Sequence, residues 1–358
     1  MKKNFKTVSV IMPCGNEVDF IKTSASSILA TEYPKEKLEF LVVLDSESND
    51  GTKTILKELA SINHILKVLS NPKKVVPFAM NIGIKASKGE IIVRVDAHSV
   101  YPKDYISKCV EYLEKTDAWC VGGPFYNKPA VDTIMAKIIA GCLSSPFMVA
   151  NSKFRTKRKA MYVETVPYGA FRRSLFDKIG LYDERLVRHQ DYELCRRITK
   201  YGGKIFMTPE IKNTYFPRKT LRELLHKARY YALWDAFSHK ICPYTFTWRH
   251  FLPGVFFLGT IACIGLSIIA AIINNAYIFT LGISPLAVYF LLAFIFSIKD
   301  CIKHKFNFLT LFLIIPTIFL YHFNFGFGIV NGWFLVYTGK WKKLIPQPIN
   351  YPLFSEKK

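Results

Sequence analysis

The C-terminal third of the chain contains three long stretches without charged side chains. These stretches are residues 251–273, 276–297 and 306–339. A helix needs about 20 apolar residues to span the hydrocarbon core of a bilayer, which is about 30 Å thick. A soluble protein would have to bury three such stretches in succession. The pattern therefore predicts a membrane region at residues 241–358 and not the core helices of a soluble protein.

The third stretch is too long for one crossing, because its 34 residues would form a helix about 51 Å long. The sequence YHFNFGFG at residues 321–328 predicts an interruption, followed by a short second span or a re-entrant segment. Lysines at 299–305 and 340–343 place those segments in the cytoplasm by the positive-inside rule. Three or four crossings are predicted, with residues 1–240 in the cytoplasm.

The net charge of +22 is concentrated in residues 151–250, which hold 22 basic and nine acidic residues. A basic surface before an apolar region suits an anionic membrane leaflet, where each nearby Lys or Arg contributes about 1 kcal/mol. Nucleic acid is the alternative partner, but no nucleic-acid-binding motif accompanies the charge. The eight scattered cysteines form no CxxC pair, which is typical of reduced thiols in the cytoplasm. The sequence thus predicts membrane lipids as a partner and no nucleic acid.

Residues 1–240 show strand patterns that alternate with helical ones. Four strands are predicted at 7–13, 38–45, 64–70 and 91–96. Of the three helices predicted between them, the first ends near residue 29, and the others cover 51–60 and 76–87. This alternation predicts an α/β domain with a mostly parallel sheet and flanking helices. Ligands bind outside the carboxyl ends of such strands. The polar residues at those ends are Pro13–Glu17, Asp45 and Asp96–His98.

The loop LDSESNDGT at residues 44–52 is rich in carboxylates and hydroxyls. The chain has no GxGxxG after its first strand and no GxxxxGK[ST], which argues against a dinucleotide-binding dehydrogenase and a P-loop ATPase. Carboxylates do not cradle phosphates, but they accept hydrogen bonds from a base or from ribose hydroxyls. The loop fits a nucleoside, or it is a strand-to-helix turn with Asp50 as the N-cap.

Asp96 and His98 follow the fourth predicted strand in the sequence IIVRVDAHSVYP. Side chains two positions apart share a face in an extended chain, so both can reach one site. A carboxylate and an imidazole can bind a divalent ion such as Mn²⁺ or Mg²⁺. Such an ion would neutralise a diphosphate leaving group. The spacing alone is a weak signal, and the neighbouring acidic loop strengthens the interpretation as a metal site.

Five blocks, in a specific order and spacing, carry a resemblance to a known family. They are VSVIMPCGNE, LDSESNDGT, NPKKVVPFAMNIGIKASKGEIIVRVDAHSVYPKDY, YGAFRRSLFDKIGLYDE and HQDYELCRRI. Over residues 8–235 the chain resembles the family 2 glycosyltransferases, which have a GT-A fold, and especially their bacterial exopolysaccharide branch. The resemblance implies an inverting enzyme of the inner (plasma) membrane. Its expected partners are a nucleotide-sugar donor, with UDP favoured, and a polyprenyl-diphosphate-linked glycan acceptor.

The resemblance also implies roles for individual residues. Those expected to bind the nucleotide sugar are Pro13, Glu17, Asp45, Asp50, Arg94 and Asp96, although Arg94 could equally be a packed strand residue. Asp96 and His98 stand where the family carries its metal-binding DxD motif. His98 replaces the second carboxylate, which leaves the choice between Mn²⁺ and Mg²⁺ open.

Asp191 in HQDYELCRR matches the aspartate of the family's ED motif, which is the general base. An inverting transfer needs a carboxylate that takes the proton of the acceptor hydroxyl as its oxygen attacks. Gln190 stands where the family usually has Glu, and it can orient a group but carries no charge. Asp191 also opens a predicted helix and stabilises its first turn, a role compatible with catalysis.

Further residues are expected near the acceptor or a diphosphate. Tyr168 is a candidate for stacking on a sugar, and Gly169 permits close approach of the acceptor or serves as a turn glycine. Lys227, Arg229 and Trp234 lie where processive members carry QxxRW, but their spacing differs. They contact a diphosphate, or they belong to an interfacial amphipathic helix. The missing motif argues against a processive polysaccharide synthase, and a non-catalytic membrane scaffold is the second alternative.

Overall fold

The computed structural model describes residues 5–150 and 152–346. Its contacts divide the chain into two compact units. The first unit comprises residues up to Tyr126 together with Lys157–Tyr215, and the second comprises Asn127–Thr156 together with Phe216–Leu344. Two segments that the sequence placed in the domain 1–240, namely residues 127–156 and 216–240, thus group with the second unit.

The strands and helices follow one another along the chain in the order that their numbers give. The strands are β1 (Val8–Cys14), β2 (Leu38–Asp45), β3 (Leu66–Asn71), β4 (Ile91–Arg94), β5 (Ser99–Val100), β6 (Ala118–Gly122), β7 (Phe125–Asn127), β8 (Met161–Tyr162), β9 (Ala170–Arg172), β10 (Lys204–Met207) and β11 (Asn213–Tyr215). The helices are α1 (Ile21–Leu29), α2 (Thr52–Ile62), α3 (Val76–Ala86), α4 (Tyr105–Lys115), α5 (Ile134–Cys142), α6 (Lys153–Thr156), α7 (Ser174–Ile179), α8 (Gln190–Lys200), α9 (Leu221–Ile241), α10 (Leu252–Ile272), α11 (Ala276–His304) and α12 (Leu311–Tyr337).

The first unit is built on an eight-stranded sheet with the order β3-β2-β1-β4-β9-β6-β10-β8. The pairs β1–β2, β1–β4, β2–β3 and β6–β10 are parallel, whereas β9 runs antiparallel to both β4 and β6. A second sheet has the order β5-β11-β7. The predicted α/β class is confirmed, as are the four predicted strands and the helices between them.

The central strands are mostly apolar because both faces of the sheet are covered. Val10, Ile11 and Met12 of β1 are fully buried, and so are Ile92 and Val93 of β4. Near-continuous apolar runs of this kind are typical of parallel strands with helices on both faces. The polar side chains at the carboxyl ends of these parallel strands, such as Asp45 of β2 and Arg94 of β4, lie at one edge of the sheet.

Among the residues that the structure describes, three helices, all in the second unit, are long and apolar enough to cross a membrane. They cover Trp248–Ile272, Ala276–His304 and Phe308–Tyr337. In their most apolar stretches 22%, 11% and 28% of the residues are buried within the protein, so most apolar side chains remain available to lipid. The predicted membrane association is therefore supported by the structure.

The interruption predicted at residues 321–328 is wrong, because these residues lie inside the continuous helix α12. The glycines that suggested a break serve close packing instead. A Cβ at Gly328 would lie 2.8 Å from Cβ of Ala232 on α9. Such a glycine lets two helix backbones approach each other without ending the helix.

Candidate active site

Three neighbouring parallel strands end at one edge of the eight-stranded sheet. β1 pairs with β2 on one side and with β4 on the other. Because parallel strands end at the same edge, the segments that follow them converge there. The predicted site residues on these strand ends and in these segments are Pro13, Glu17, Asp45, Asp50, Arg94, Asp96 and His98.

The imidazole of His98 lies between two carboxylates. Its Nε2 is 2.9 Å from Oδ1 of Asp96, and its Nδ1 is 3.1 Å from Oε2 of Glu17. The side chains of His98, Asp96 and Glu17 are 34%, 21% and 22% exposed, so a ligand can reach all three. The structure thus brings Glu17, predicted at the nucleoside, directly to the predicted metal ligands.

The contacts of this cluster shift the pKa values of His98 and Asp96. Burial acts to lower the pKa of His98, but the carboxylates of Asp96 and Glu17 outweigh it and hold this pKa well above its ordinary value. Burial acts to raise the pKa of Asp96, but the charged His98 and Arg94 outweigh it and hold this pKa below its usual range. Both shifts favour a protonated imidazole of His98 beside an ionised Asp96.

The donor set of Asp96 and His98 fits a divalent ion once His98 loses its proton. Two ligands at neighbouring octahedral positions, with bonds of about 2.1 Å, lie about 3.0 Å apart. Nε2 of His98 and Oδ1 of Asp96 are 2.9 Å apart. An imidazole nitrogen suits Mn²⁺ better than Mg²⁺, which prefers oxygen ligands alone. Phosphate oxygens and water can complete such a site.

Two buried residues that sequence reasoning missed fix the backbone of Asp96. Its N–H donates to the hydroxyl oxygen of Tyr101 at 2.7 Å, and its carbonyl oxygen accepts from Oγ of Ser24 at 3.0 Å. Both residues are almost fully buried. Tyr101 lies within the motif block around Asp96, which was the available signal. Ser24 lies 72 positions away and carries no signal in the sequence.

Asp45 ends β2 with a half-buried carboxylate. Its Oδ1 accepts a hydrogen bond from Nδ2 of Asn71 at 2.8 Å, and burial raises the pKa of this carboxyl group. Asn71 is fully buried at the end of β3 and holds the carboxylate in place. Asp45 is therefore positioned by its neighbouring strand at the same edge as the Asp96–His98 cluster.

Asp50 connects the segment after β1 to the start of α2. Its Oδ2 accepts from the Val18 N–H at 3.0 Å, and its Oδ1 accepts from the Thr52 N–H at 3.0 Å. Gly51 is the N-cap residue, with a left-handed φ of 99°, so the predicted N-cap position of Asp50 is off by one residue. The carboxylate nevertheless binds an amide of the first turn, as a capping side chain does.

Arg94 and Asp191 form an ion pair. Arg94 is the last residue of β4 and is 5% exposed, whereas the side chain of Asp191 is 33% exposed. The guanidinium carbon of Arg94 also lies 5.9 Å from the ring centroid of Tyr168. Arg94, predicted near the nucleoside, thus contacts the predicted base and can position it.

Asp191 lies in the first turn of α8. Amide groups at the start of a helix favour a carboxylate at this place. Gln190 begins the helix and is 6% exposed, and Glu193 binds Arg197 through two bonds of 2.8 Å. Among these first-turn residues, Asp191 is the carboxylate that a substrate can reach.

Tyr168 and Gly169 are held by packing within the sheet. Tyr168 is 6% exposed, and its ring centroid lies 5.2 Å from that of Phe125. This burial argues against the predicted stacking of Tyr168 on a sugar. A Cβ at Gly169 would lie 2.7 Å from Sγ of Cys120 and 2.7 Å from the ring of Phe171. Close packing next to β9 therefore requires a glycine at this position, independently of any role in binding the acceptor.

Lys227, Arg229 and Trp234 lie on α9 and belong to the second unit. Trp234 is 1% exposed, and its ring centroid lies 5.2 Å from that of Phe237. This burial corrects the predicted contact of Trp234 with a diphosphate or with lipid headgroups. Arg229 lies over the ring of Phe327 on α12, at 5.0 Å from the centroid.

Comparison with known proteins identifies the class of enzyme. Residues 9–180 match the family described as glycosyl transferase family 2. Glycosyltransferase AglE of Haloferax volcanii is 32% identical over 229 residues, which cover 63% of this chain and 72% of that protein. The chain belongs to glycosyltransferase family 2, and it is an enzyme of this type.

Two further similarities extend this result. Succinoglycan biosynthesis protein ExoA of Rhizobium meliloti is 29% identical over 218 residues, which cover 59% of this chain and 64% of that protein. The solved structure of mannosyltransferase PcManGT from Pyrobaculum calidifontis, in complex with GDP-Man and Mn²⁺, matches with a TM-score of 0.55 at 17% identity. That match covers 90% of this chain and 88% of the mannosyltransferase, and it confirms the predicted GT-A fold.

Proposed function

We propose that this glycosyltransferase is an inverting, metal-dependent, membrane-anchored enzyme of cell-surface polysaccharide assembly. It moves a sugar from a nucleotide sugar, with UDP favoured, to a polyprenyl-diphosphate-linked glycan at the cytoplasmic face of the plasma membrane. The observation that carries this proposal is the contact of Arg94 with Asp191. Arg94 lies two positions before Asp96, so a reachable carboxylate and the Asp96–His98 cluster are neighbours at one edge of the sheet.

Asp191 acts as the general base in this reaction. It accepts the proton of the acceptor hydroxyl as that oxygen attacks the anomeric carbon, and the nucleoside diphosphate leaves from the opposite side. Arg94 fixes the orientation of the carboxylate, and a rigid helix start holds its backbone. A base held in this way loses little freedom on reaching the transition state.

The other side chains of the edge bind the donor. Asp45 and Glu17 accept hydrogen bonds from the base or from the ribose hydroxyls. Asp96 and His98 are the residues that would hold a divalent ion, and this ion supplies positive charge that stabilises the diphosphate leaving group. Tyr101 and Ser24 hold the backbone of Asp96, one of the two residues that would bind this ion.

The names of similar proteins support a nucleotide-sugar donor, a lipid-linked acceptor and a divalent ion. PcManGT was solved with a nucleotide sugar and Mn²⁺. A relative from Methanococcus voltae is 26% identical over 225 residues, which cover 61% of this chain and 69% of that protein. It is named a dolichyl N-acetyl-alpha-D-glucosaminyl phosphate 3-beta-D-2,3-diacetamido-2,3-dideoxy-beta-D-glucuronosyltransferase. The first part of this name, dolichyl N-acetyl-alpha-D-glucosaminyl phosphate, describes a lipid-linked acceptor. ExoA is named a succinoglycan biosynthesis protein.

The test is donor binding and sugar transfer by the full chain in detergent, with UDP-, GDP- and dTDP-sugars, in Mn²⁺ and in EDTA. We expect one nucleotide class to bind in a metal-dependent manner. Asp191→Asn should bind this donor normally but transfer sugar at least about 100-fold more slowly. Asp117→Asn is the matched control, because Asp117 is a 56% exposed carboxylate of the same unit that pairs with Lys204.

The possible outcomes separate the parts of the proposal. Full transfer in EDTA would contradict the metal role of Asp96 and His98. Unchanged transfer by Asp191→Asn would contradict its assignment as the base and favour a scaffold that kept the fold. Repeated addition of sugars to one acceptor would favour the processive alternative.

A further inference from the structure

A second group of potential metal ligands lies in the second unit, at the end of α9. Among the residues that the structure describes, it is the one group of three His, Cys, Asp or Glu side chains whose ligand atoms all lie within 4.8 Å of one another. Its members are Asp235 and His239 on α9, and His250 in the short 3-10 helix Trp248–His250. The sequence pattern gave no reason to single them out.

The helix itself brings Asp235 and His239 together, because residues four positions apart lie on the same face. Nδ1 of His239 lies 2.6 Å from the carbonyl oxygen of Asp235, so this nitrogen carries the proton and donates. That bond leaves the lone pair on Nε2. Metal-binding histidines are typically held in this way, with the second ring nitrogen donating to a carbonyl or a carboxylate.

The lone pair of His239 is directed at a second imidazole. Its Nε2 lies 2.7 Å from Nδ1 of His250, and the two ring centroids are 4.6 Å apart. His250 also has Oγ1 of Thr247 at 3.4 Å from its Nδ1, which places a further oxygen donor beside the two nitrogens. The carboxylate of Asp235 is the third potential ligand, with its Oδ1 3.7 Å from Nδ1 of His239, and the three residues offer ligand atoms that all lie within 4.8 Å of one another.

The place is enclosed by protein. Asp235 is 2% exposed and His239 is 5% exposed, and His250 is half-buried. A carboxylate and two imidazoles inside a protein are a donor set typical of Zn²⁺, which binds nitrogen and oxygen ligands in a tetrahedral arrangement. The set is richer in nitrogen than the active-site cluster, so the two places favour different ions.

We propose that Asp235, His239 and His250 bind one Zn²⁺ ion that fastens the end of α9 to the segment leading into α10. Two nitrogens on tetrahedral zinc, with bonds of about 2.0–2.1 Å, lie about 3.3 Å apart. The 2.7 Å separation corresponds to a proton shared by the two rings. The ion replaces this proton and separates the nitrogens by about 0.6 Å more. It holds together residues 239 and 250, directly before the first apolar helix.

The test uses the full chain in detergent, stripped of metal with a chelator and then titrated with Co²⁺, followed by Zn²⁺. Co²⁺ bound in place of Zn²⁺ gives visible absorption bands whose intensity reports four-coordinate geometry. We expect these bands to saturate at one equivalent and to disappear on addition of one equivalent of Zn²⁺. The wild-type protein alone provides this readout, so it does not depend on the folding of any variant.

Variants then assign the site to its residues. His250→Ala is preferred because His250 is half-buried, whereas removal of the buried His239 would disturb the core. We expect His250→Ala to weaken Zn²⁺ binding by about 100-fold or more. His226→Ala is the matched control, since His226 is an exposed histidine of the same helix, and His98→Ala controls for binding at the active site. Both should bind one equivalent of Zn²⁺ with wild-type affinity.

Two results would overturn the proposal. One is the absence of Co²⁺ bands at one equivalent in the wild-type protein. The other is equal Zn²⁺ affinity of the wild-type protein and His250→Ala. Loss of the bands in His98→Ala, with the bands intact in His250→Ala, would assign the ion to the active site and would also contradict it.

Discussion

Arg94 and Asp191 form an ion pair although they lie 97 positions apart in the chain. Arg94 ends the buried strand β4, and Asp191 lies in the first turn of α8. The backbone N–H of Arg94 donates to the carbonyl oxygen of Gly169 at 3.0 Å, which fixes this end of the strand. The orientation of the proposed base therefore depends on a strand that leads directly to the proposed metal ligand Asp96.

Replacing Arg94 with Gln should lower kcat and leave KM for the donor nearly unchanged. The guanidinium holds the carboxylate of Asp191, and its loss leaves the base without a fixed orientation. Because Arg94 acts through Asp191, the replacement should have little further effect on kcat in an Asp191→Asn background. Steady-state kinetics of the two single variants and the double variant measure this.

Arg172→Gln is the control for this cycle, since Arg172 is a partly exposed arginine of the same unit that pairs with Glu114. We expect it to leave kcat at the wild-type value. A large increase in KM for the donor in Arg94→Gln would instead support the sequence-based prediction that Arg94 binds the nucleoside.

The pH dependence of Mn²⁺ binding should report the proton on His98. The protonated ring does not bind a metal, and its pKa lies well above the ordinary value because Asp96 and Glu17 outweigh the effect of burial. Mn²⁺ affinity should rise about tenfold per pH unit below this pKa and level off above it. Electron paramagnetic resonance of free Mn²⁺ measures the affinity.

Glu17→Gln sharpens this test. It removes one of the two carboxylates that raise the pKa of His98, so the proton should leave at lower pH. At pH values on the rising limb, this variant should bind Mn²⁺ more tightly than the wild-type protein. Glu47→Gln is the control, because Glu47 is 69% exposed and pairs with Lys74. Weaker Mn²⁺ binding by Glu17→Gln at every pH would show that Glu17 is itself a ligand.

The fold was predictable because its signals are local. The bounds of β2 agree at both ends with the predicted strand 38–45, and β4 starts at the predicted residue 91. Strand ends with polar side chains also placed Asp45, Asp96 and His98 at one edge. The contact of Glu17 with His98 was beyond sequence reasoning, because it depends on the path of the segment after β1.

What could not be predicted depends on contacts between distant segments. Tyr168 and Trp234 have side chains that could face a ligand, and only their packing shows that both are buried. The glycines of YHFNFGFG are weak helix formers, and the sequence therefore predicted a break. In the structure Gly326 packs on Pro253 and Phe257, so close contact with α10 compensates for the low helix propensity.

Gly328→Ala should destabilise the second unit. A Cβ at this position would lie 2.8 Å from Cβ of Ala232 and would also meet the backbone of Arg229. Overpacking of this kind typically costs about 1–3 kcal/mol. Thermal unfolding in detergent should show a lower midpoint than for the wild-type protein.

Gly265→Ala is the control for this prediction. Nothing lies within 4 Å of a Cβ at Gly265 on α10, and alanine favours a helix over glycine by about 1 kcal/mol. Its unfolding midpoint should equal or exceed that of the wild-type protein. If Gly328→Ala is equally stable, α12 does not pack closely on α9.

α12 meets α10 in a way that differs from the pairing of α10 with α11. α10 and α11 contact each other along their lengths, at Ser267 with Gly282 and at Phe256 with Tyr289. The described ring contacts between α12 and α10, with the adjoining Phe251, join residues 319–333 of α12 to residues 251–257. These ring contacts therefore join fifteen residues of α12 to seven residues at the start of α10.

We therefore predict that the chain crosses the membrane twice, through α10 and α11, and that α12 lies with α9 at the cytoplasmic surface. Gly328 and Gly332 of α12 pack on Ala232 and Ala236 of α9, which carries many charged residues and would not enter a bilayer. Two crossings keep the lysines at 340–343 in the cytoplasm, as the positive-inside rule requires. Three crossings would place these lysines outside.

Labelling of introduced cysteines with a membrane-impermeant maleimide in spheroplasts distinguishes the two topologies. Asn274→Cys, at the turn between α10 and α11, should react in intact spheroplasts. Lys303→Cys and Lys343→Cys should react only after the membrane is permeabilised, and the wild-type protein measures the background from native cysteines. The decisive variant is Lys343→Cys, because its reaction in intact spheroplasts would mean that α12 spans the bilayer as a third crossing. If the chain crosses the membrane only through α10 and α11, both lysine positions should be protected in intact spheroplasts, whereas Asn274→Cys should react.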